Sequence, residues 1–149
     1  MNIHVVRTDG SWYARPDITL VRDADRFCLP DDCTGALACR CRCIRIDQAG
    51  KAVAPRFARR YFSSWAPGIC FYGVTTDGAA TPFLDRATWV DREFQSVDTL
   101  PEDAMLRIVE GLECISRHVS LRIGDFLMFE LSLPAPLKRG DTIDTISVL

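Results

Sequence analysis

The sequence predicts a mixed α+β fold that is mostly β, with two helices. Two observations lead to this class. Short apolar segments alternate with turn-forming residues over most of the chain, and one long stretch near the C-terminal end repeats its apolar residues at helical spacing. The chain has 149 residues and no internal repeat. That length suits a single domain with its own core, so we expect one domain over residues 1–149.

Charge and apolar patterning exclude several classes of partner. The formal net charge is -2, so we expect no nucleic acid and no anionic membrane as a partner, since both attract a basic excess. The first residues, MNIHVVRTDG, lack the layout of a signal peptide, and no apolar run is long enough to span a bilayer. We therefore expect a cytoplasmic protein.

The N-terminal third predicts short strands at NIHVV, DITLV and FCL, separated by the turn residues of TDG, RDADR and PDD. A longer strand follows over residues 37–46, where side chains alternate between two faces. One face carries Leu37, Cys39, Cys41 and Cys43, and the other carries Ala38, Arg40, Arg42 and Ile44. We expect Arg40 and Arg42 to face solvent or a second subunit.

The middle of the chain predicts a second helix and a buried strand. VAPRFARRYFSSW repeats Val53, Phe57, Tyr61 and Trp65 at helical spacing, which predicts a short amphipathic helix. GICFYGV is short, apolar and bounded by glycine, which is typical of a buried strand. TTDGAATP predicts a loop, and the region of FQSV predicts another strand.

The clearest helix lies in LPEDAMLRIVEGLECISRHV. Its apolar stripe consists of Met105, Ile108, Val109, Leu112 and Ile115. Glu102 and Asp103 fall in the first turn, where the helix dipole favours negative charge. The rest of the chain predicts a strand in DFLMFELSL, a proline-containing turn in PAPLKRGD and a final strand in TIDTISVL.

The stretch CRCRC raises the question of thiol chemistry. The seven cysteines are odd in number and irregularly spaced, so we expect reduced thiols instead of a disulfide framework. Residues two apart on one strand are about 6.5 to 7 Å apart, too far for a disulfide between neighbours. CxC on a strand is also much less diagnostic of zinc than CxxC at a turn. Taken alone, the pattern favours core packing.

The sequence gives little support for a hydrolytic triad, a nucleotide-binding site or a nucleic-acid-binding surface. The histidines are His4, on the first strand, and His118, at a helix end, so we expect structural roles for both. Neither a phosphate-binding glycine loop nor a dinucleotide fingerprint is present. The basic residues Lys51, Arg56, Arg59 and Arg60 are expected to form a solvated rim, with the aromatic residues between them facing the core.

Three blocks, taken in order, resemble the fumarylacetoacetate hydrolase superfamily. ARPDITLVRDADRFCLPDD is similar to the segment that opens the core of that fold. GKAVAPRFARRYFSSWAPGICFYGV is similar to its Gly-Lys turn, helix and glycine-led strand. VSLRIGDFLMF and LKRGDTIDTISVL are similar to its later strand and closing hairpin. The resemblance implies a mixed β-roll, commonly a homodimer, whose members cleave, isomerise or decarboxylate acylpyruvate-type oxo acids on Mg²⁺ or a similar ion.

The same resemblance implies that this chain has lost the metal-binding carboxylates. The family's Glu-x-Glu falls on Cys39 and Cys41, and its aspartate falls on Cys70. The arginine and aspartate of the next motif fall on Val74 and Thr75. Because hard cations prefer oxygen ligands, we expect loss of Mg²⁺ binding.

Other family features also depart from their pattern. The catalytic loop after the first strand has no room between Val6 and Trp12. The family's later strand end is altered near Glu130, Leu131 and Ser132. A lysine expected after the glycine-led strand has only Arg86 near its place. No catalytic residue is therefore assigned with the family mechanism.

Two hypotheses account for the three cysteines, which the fold would bring together. They form either a degenerated pocket, in which small thiols replace carboxylates that would repel one another, or a soft-metal site for Zn²⁺, with Cys28, His4 or His118 as fourth ligand. The leading functional prediction is a non-catalytic pseudoenzyme with a binding or structural role. The alternatives are a divergent enzyme of small oxo acids using Cys39, Cys41, Cys70, Glu130 or Arg86, and a thiol-based metal or redox module.

Overall fold

A curled, mixed β-sheet of ten strands forms the body of the protein. The computed structural model describes residues 1–21 and 29–138, and the predicted strands at FCL and TIDTISVL fall largely or wholly outside this range. The strands are β1 (Ile3–Val6), β2 (Trp12–Arg15), β3 (Leu20–Val21), β4 (Cys33–Arg45), β5 (Ser64–Thr75), β6 (Ala80–Thr81), β7 (Thr88–Val90), β8 (Gln95–Ser96), β9 (Phe126–Glu130) and β10 (Ala135–Pro136).

Two helices accompany this sheet, as the sequence predicted. The longer is α1 (Glu102–His118), which begins after Pro101 and has Glu102 and Asp103 in its first turn. The shorter is a six-residue 3-10 helix, Pro55–Arg60, and two further 3-10 turns cover Asp17–Thr19 and Val97–Thr99. No helix in the described part of the chain is long and apolar enough to cross a membrane.

The long strands β4 and β5 form the centre of the sheet. The main path runs β2-β1-β9-β4-β5-β7-β3, with β4 antiparallel to both β5 and β9. Strand β1 runs parallel to β9, and β2 returns beside β1 through a tight turn. This order places the end of β9, at Glu130, opposite Cys41 in the middle of β4, with β1 on the other side of β9.

The two faces of the sheet bury two different sets of side chains. On the helix-side face, Val6, Ile44 and Phe129 pack with Ile108 and Leu112 of α1. On the inner face, the alternate residues of the same strands form a second cluster. That cluster contains Ile3, Val5, Cys39, Cys41, Cys43, Cys70, Tyr72, Phe126 and Met128. The predicted alternation along residues 37–46 is therefore confirmed.

Some predicted elements differ in type or extent. The second helix is a 3-10 helix, and its buried residues are Ala58 and, just after it, Phe62, while Phe57 and Tyr61 are half-buried. In DITLV, only Leu20–Val21 is a strand, because Pro16 introduces a 3-10 turn over Asp17–Thr19. Strands β2 and β7 were not predicted, since both are short and partly polar.

Candidate functional site

The three cysteines that the sequence resemblance assigns to the family's metal positions lie together on the inner face of the sheet. Cys39 of β4 lies directly opposite Cys70 of β5. Cys41 projects from the same face of β4, two residues further on, opposite Gly68. All three are at most 2% exposed. The convergence that the resemblance implied is therefore present, since these thiols belong to one buried cluster.

Hydrogen bonds hold these thiols as part of the core. The Cys39 thiol donates to the carbonyl oxygen of Ser132 at 2.9 Å, and Cys41 Sγ lies 3.5 Å from the carbonyl oxygen of Cys39. Burial raises the pKa of Cys41 well above its ordinary value. A hydrogen bond from Cys41 lowers the pKa of Cys39 to about 7, against the opposing effect of burial. Cys39 is thus the thiol of this pair that ionises more readily.

A chain of buried polar side chains runs beside the thiols. Arg15 Nε donates to the Tyr13 hydroxyl at 2.9 Å, Tyr13 pairs with the Tyr72 hydroxyl at 2.8 Å, and Tyr72 donates to Glu130 Oε1. Arg15 Nη1 also donates to the carbonyl oxygen of Ala87 at 2.7 Å. Three strands, β2, β5 and β9, supply the side chains, and Ala87 immediately precedes β7, so the chain ties these parts of the sheet together.

Glu130 carries the carboxyl group of this network. Burial raises its pKa, while the hydrogen bond from Tyr72 and the charges of Arg15, Arg7 and Arg107 act in the opposite direction. Burial also raises the pKa of Tyr13 to about 12, and burial together with donation to Glu130 raises the pKa of Tyr72. Both phenols therefore stay protonated at neutral pH and serve as donors.

Arg107 of α1 fixes the strand ends that border the site. Its Nη1 donates to the carbonyl oxygen of Glu130 at 2.6 Å, and its Nη2 donates to the carbonyl oxygen of Arg7 at 3.0 Å. These carbonyls lie where the parallel strands β1 and β9 end. One guanidinium thus supplies donors to strand ends that would otherwise lack them.

A cleft of about 260 Å³ opens above the network. It is lined by Arg7, Thr8, Asp9, Leu37, Tyr72, Ala80, Pro82, Glu130, Leu133 and Pro134. Three of these residues adjoin the thiols in the sheet: Leu37 is two residues before Cys39, Tyr72 is two residues after Cys70, and Glu130 is opposite Cys41. The thiols therefore lie beside the cleft, next to three of its lining residues.

The histidines named as candidate fourth ligands do not join the thiols. His4 lies on β1 between Ile3 and Val5, whose side chains belong to the inner cluster, so its ring points to the opposite face. There it contacts Trp12, which also contacts His118, at ring separations of 5.8 and 6.1 Å. Cys28 lies outside the described residues. Over residues 1–21 and 29–138, no three His, Cys, Asp or Glu side chains are arranged to hold a metal ion.

Arg86 is also remote from the cleft. It is exposed, has a left-handed φ of 60° and borders a separate groove with Leu29 and Phe83. Val74 and Thr75 occupy the half-buried end of β5. Between β1 and β2 the chain makes a tight turn closed by Arg7 N to Ser11 O at 2.8 Å, so there is no room for a catalytic loop, as expected from the sequence.

The basic residues of the 3-10 helix face solvent, as predicted. Lys51, Arg56, Arg59 and Arg60 are exposed. Phe57 lies between Arg56 and Arg60, which stack on its ring at 4.7 and 4.6 Å, and Arg59 pairs with Asp98 at 2.9 Å. The aromatic residue is therefore shared between core and rim, contrary to the expectation that it faces the core.

The donor set at Cys39, Cys41 and Cys70 does not fit a hard divalent cation. Mg²⁺ and Mn²⁺ take oxygen ligands, and their charge is normally balanced by carboxylates. Here the corresponding atoms are sulfur, and Cys41 stays protonated because burial raises its pKa. Glu130, opposite Cys41, is a single carboxylate already engaged by Tyr72.

Sequence reasoning missed Arg15, Tyr13, Tyr72 and Arg107. A signal for three of them was present, because Tyr13 and Arg15 are two apart on one strand and Tyr72 is two residues after Cys70, the spacing that puts side chains on one face. Arg107 carried no such signal. It lies on the polar side of α1, and its role depends on where β1 and β9 end.

Comparisons with known proteins identify the fold of this chain. No family model and no curated protein matches the sequence. Solved structures match over nearly the whole chain. Maleylpyruvate hydrolase from Sphingobium sp. SYK-6 has a TM-score of 0.77 at 15% identity over 94% of this chain, which spans 63% of the length of that protein.

Two further structures give the same result. Fumarylpyruvate hydrolase from Pseudomonas aeruginosa, solved with Mn²⁺ and pyruvate, has a TM-score of 0.69 at 13% identity, covering 94% of this chain and 82% of that one. The 5-carboxymethyl-2-hydroxymuconate delta-isomerase from Mycobacterium smegmatis has a TM-score of 0.72 at 13% identity, covering 91% of this chain and 70% of that one. The chain therefore has the fold of the fumarylacetoacetate hydrolase-like enzymes, as its sequence resemblance predicted.

Proposed function

We propose that the protein is a non-catalytic member of this fold that acts by binding, with the cleft above Cys39, Cys41 and Cys70 as its binding site. One observation carries the proposal. The positions that match the family's metal ligands hold three buried thiols, with Cys39 directly opposite Cys70. A thiol set of this kind has little affinity for Mg²⁺, so the family's way of polarising an oxo acid is missing.

Turnover assays test this proposal. Purified protein is incubated with maleylpyruvate or fumarylpyruvate, with and without added Mg²⁺ or Mn²⁺, and loss of substrate absorbance is followed. We expect no turnover above the rate of the buffer containing the same metal. Metal-dependent turnover that disappears in Cys70→Ala would contradict the proposal.

A second candidate is a divergent enzyme acting on small oxo acids without the family's metal set. It is favoured by Glu130, a buried carboxyl whose pKa burial raises and which lines the cleft beside the Tyr72 hydroxyl. Carboxyls with raised pKa values are suited to proton transfer and are frequent at active sites. Metal-independent turnover abolished by Glu130→Gln would favour this candidate, with Tyr72→Phe as a second variant of the same network.

A third candidate is a soft-metal site on Cys39, Cys41 and Cys70. The three thiols lie on one face of adjoining strands, but they would have to move to hold an ion, since no three His, Cys, Asp or Glu side chains of the described residues are so arranged. Elemental analysis of protein purified without chelator tests it: about one zinc or copper per chain would support this candidate. Metal-free protein with all thiols titratable would reject it.

We also propose that the protein forms a homodimer, as the resemblance implies. Large apolar side chains at the surface support this assembly, because they are costly to leave in water. Phe83 is 60% exposed, and it lines a groove with Leu29. Sedimentation equilibrium is expected to give twice the chain mass. A chain-mass species at micromolar concentration would reject the dimer.

A further inference from the structure

We propose that Cys39 and Cys70 form a reversible disulfide when the protein reacts with a hydroperoxide. The two cysteines are on adjoining strands. They differ in this from Cys39 and Cys41, which are two residues apart on one strand and therefore too far apart for a disulfide. Cys39 lies directly opposite Cys70, so both side chains project from the same face of the sheet.

The strand geometry permits this bond. Directly opposed residues in antiparallel strands have Cα atoms about 4.5 to 5.5 Å apart, within the range found for disulfides. Their Cβ atoms are about 4.5 to 5.5 Å apart, slightly wider than a relaxed disulfide prefers. Closing the bond therefore requires a small inward shift of β4 or β5. A disulfide formed under such strain is more easily reduced, which makes it reversible.

The surroundings place a cleft on one side of the pair and a cation on the other. Leu37, Tyr72 and Glu130 adjoin the thiols in the sheet and line the cleft, so the cleft is the side from which a hydroperoxide would approach. Arg15 Nη1 donates to Thr88 Oγ1 at 3.2 Å, and Thr88 is opposite Cys70. Arg15 Nη2 is buried without a hydrogen-bond partner among the described residues.

The chemistry balances with the hydroperoxide as oxidant. The Cys39 thiolate attacks the peroxide O–O bond, giving a sulfenic acid on Cys39 and releasing hydroxide, or an alkoxide from an organic hydroperoxide. The Cys70 thiol then attacks the sulfenic sulfur, the S–S bond forms, and water leaves. Two thiols lose two electrons and two protons, and the hydroperoxide is reduced to water, or to an alcohol and water.

Mass spectrometry of the full chain tests the proposal. Reduced, desalted protein is treated with hydrogen peroxide, its remaining thiols are blocked with N-ethylmaleimide, and the intact and trypsin-cleaved masses are measured. Before blocking, we expect a loss of about 2 Da that dithiothreitol reverses, because a disulfide forms at the expense of two hydrogens. After blocking in denaturant, we expect two fewer N-ethylmaleimide groups than on the reduced protein. Trypsin cuts after Arg40 and Arg42, so Cys39, Cys41 and Cys43 fall on separate peptides, but Cys39 shares residues 27–40 with Cys28 and Cys33. Fragmentation of the linked peptide therefore assigns the bond, which is expected to join Cys39 to Cys70.

Variants separate the roles of the thiols. Cys70→Ser is expected to abolish the mass loss and leave a sulfenic acid on Cys39 that dimedone traps. Cys41→Ala is expected to keep the link between Cys39 and Cys70, because Cys41 is opposite Gly68 and takes no part in the bond. Cys114→Ser, at a half-buried cysteine on α1, is the matched control and is expected to react as the parent does.

Three results would overturn the proposal: no mass loss in folded wild-type protein, a bridge between other cysteines, or unchanged mass loss in Cys70→Ser. The wild-type measurement stands even if a variant fails to fold. The turnover assays use reduced protein, so failure of this inference leaves the proposed binding function untouched, and the reverse also holds.

Discussion

Arg15 brings a permanent positive charge into the inner core, where it is 2% exposed. Its side chain lies over the Tyr72 ring at 4.8 Å and donates to Tyr13 and to the Ala87 carbonyl oxygen. Because burying a charge is costly unless it is hydrogen-bonded, the contacts of Nε and Nη1 are needed to keep Arg15 inside, while Nη2 has no partner among the described residues. The guanidinium therefore organises the polar side of the site.

Arg15→Met tests this role. Removing the guanidinium removes the charged donors to the Tyr13 hydroxyl and to the Ala87 carbonyl oxygen, which keeps only its bond from Phe71 N. We expect the free energy of unfolding to fall by about 2 kcal/mol, since a hydrogen bond to a charged group typically contributes about 1.5 to 3 kcal/mol. Urea unfolding measures the change. Arg56→Met, at an exposed arginine, is the control and is expected to change stability by less than about 0.5 kcal/mol. Equal losses in both variants would contradict the assigned role.

His4 is expected to make the stability of the protein depend on pH. The side chain is 3% exposed, and neither ring nitrogen has a hydrogen-bond partner within the described part of the chain. Burial lowers its pKa below 6.5, with the charge of Asp125 acting in the opposite direction. The fold therefore favours the neutral ring.

The expected consequence is lower stability in acid. As pH falls below 6.5, the unfolded chain protonates His4 first, so the free energy of unfolding decreases down to the folded pKa. Glu130 contributes in the opposite direction. Because its pKa is raised in the folded state, its protonation increases the free energy of unfolding as pH falls towards 4.5. Urea unfolding at pH 7.5 and 5.5 tests this. His4→Leu is expected to reduce the difference between the two values, and an unchanged difference would count against His4.

At the scale of elements, the alternation of β4 was predictable because one buried face imposes a period of two on side chains. Helix α1 was predictable because its apolar stripe, from Met105 to Ile115, repeats over about three turns. The 3-10 helix at Pro55–Arg60 was expected as an α-helix, since the sequence pattern does not separate the two types over six residues. Strand β7 has three residues, too few to show a pattern.

Helix α1 packs closely on the sheet at Gly111. A Cβ atom at this position would lie 2.5 Å from Phe129 Cε1 and 3.5 Å from Val6 Cγ2. Phe129 and Val6 belong to the buried helix-side cluster, so neither has free space to move into. The glycine thus sets how near the helix approaches β1 and β9.

Gly111→Ala is expected to lower the free energy of unfolding by about 1 to 2 kcal/mol. Alanine favours helix by about 1 kcal/mol over glycine, but overpacking a core costs about 1 to 3 kcal/mol. Thermal and urea unfolding measure the balance. Glu110→Ala, at the exposed neighbouring position, serves as control and should change little. A more stable Gly111→Ala protein would contradict this prediction, because it would show that the helix moves to accommodate the methyl group without destabilising the fold.

For the whole molecule, the order of the sequence blocks predicted the fold even though the matching structures are at most 15% identical. The order of these blocks is retained at low sequence identity because the sheet determines where strands and turns must fall along the chain. The polar network was not predictable in the same way. Arg15, Tyr72 and Glu130 are far apart in sequence, and only the pairing of β4 with β5 and β9 and the curl of the sheet bring them together.

The central claim is that sulfur at Cys39, Cys41 and Cys70 leaves no site for a hard divalent cation. Titration of the metal-free protein with Mn²⁺, followed by electron paramagnetic resonance of the free ion, tests it most directly. We expect the free Mn²⁺ signal to rise in proportion to the metal added, as in a buffer blank. Stoichiometric loss of that signal in the wild-type protein, with the signal restored in Cys70→Ala, would contradict the claim.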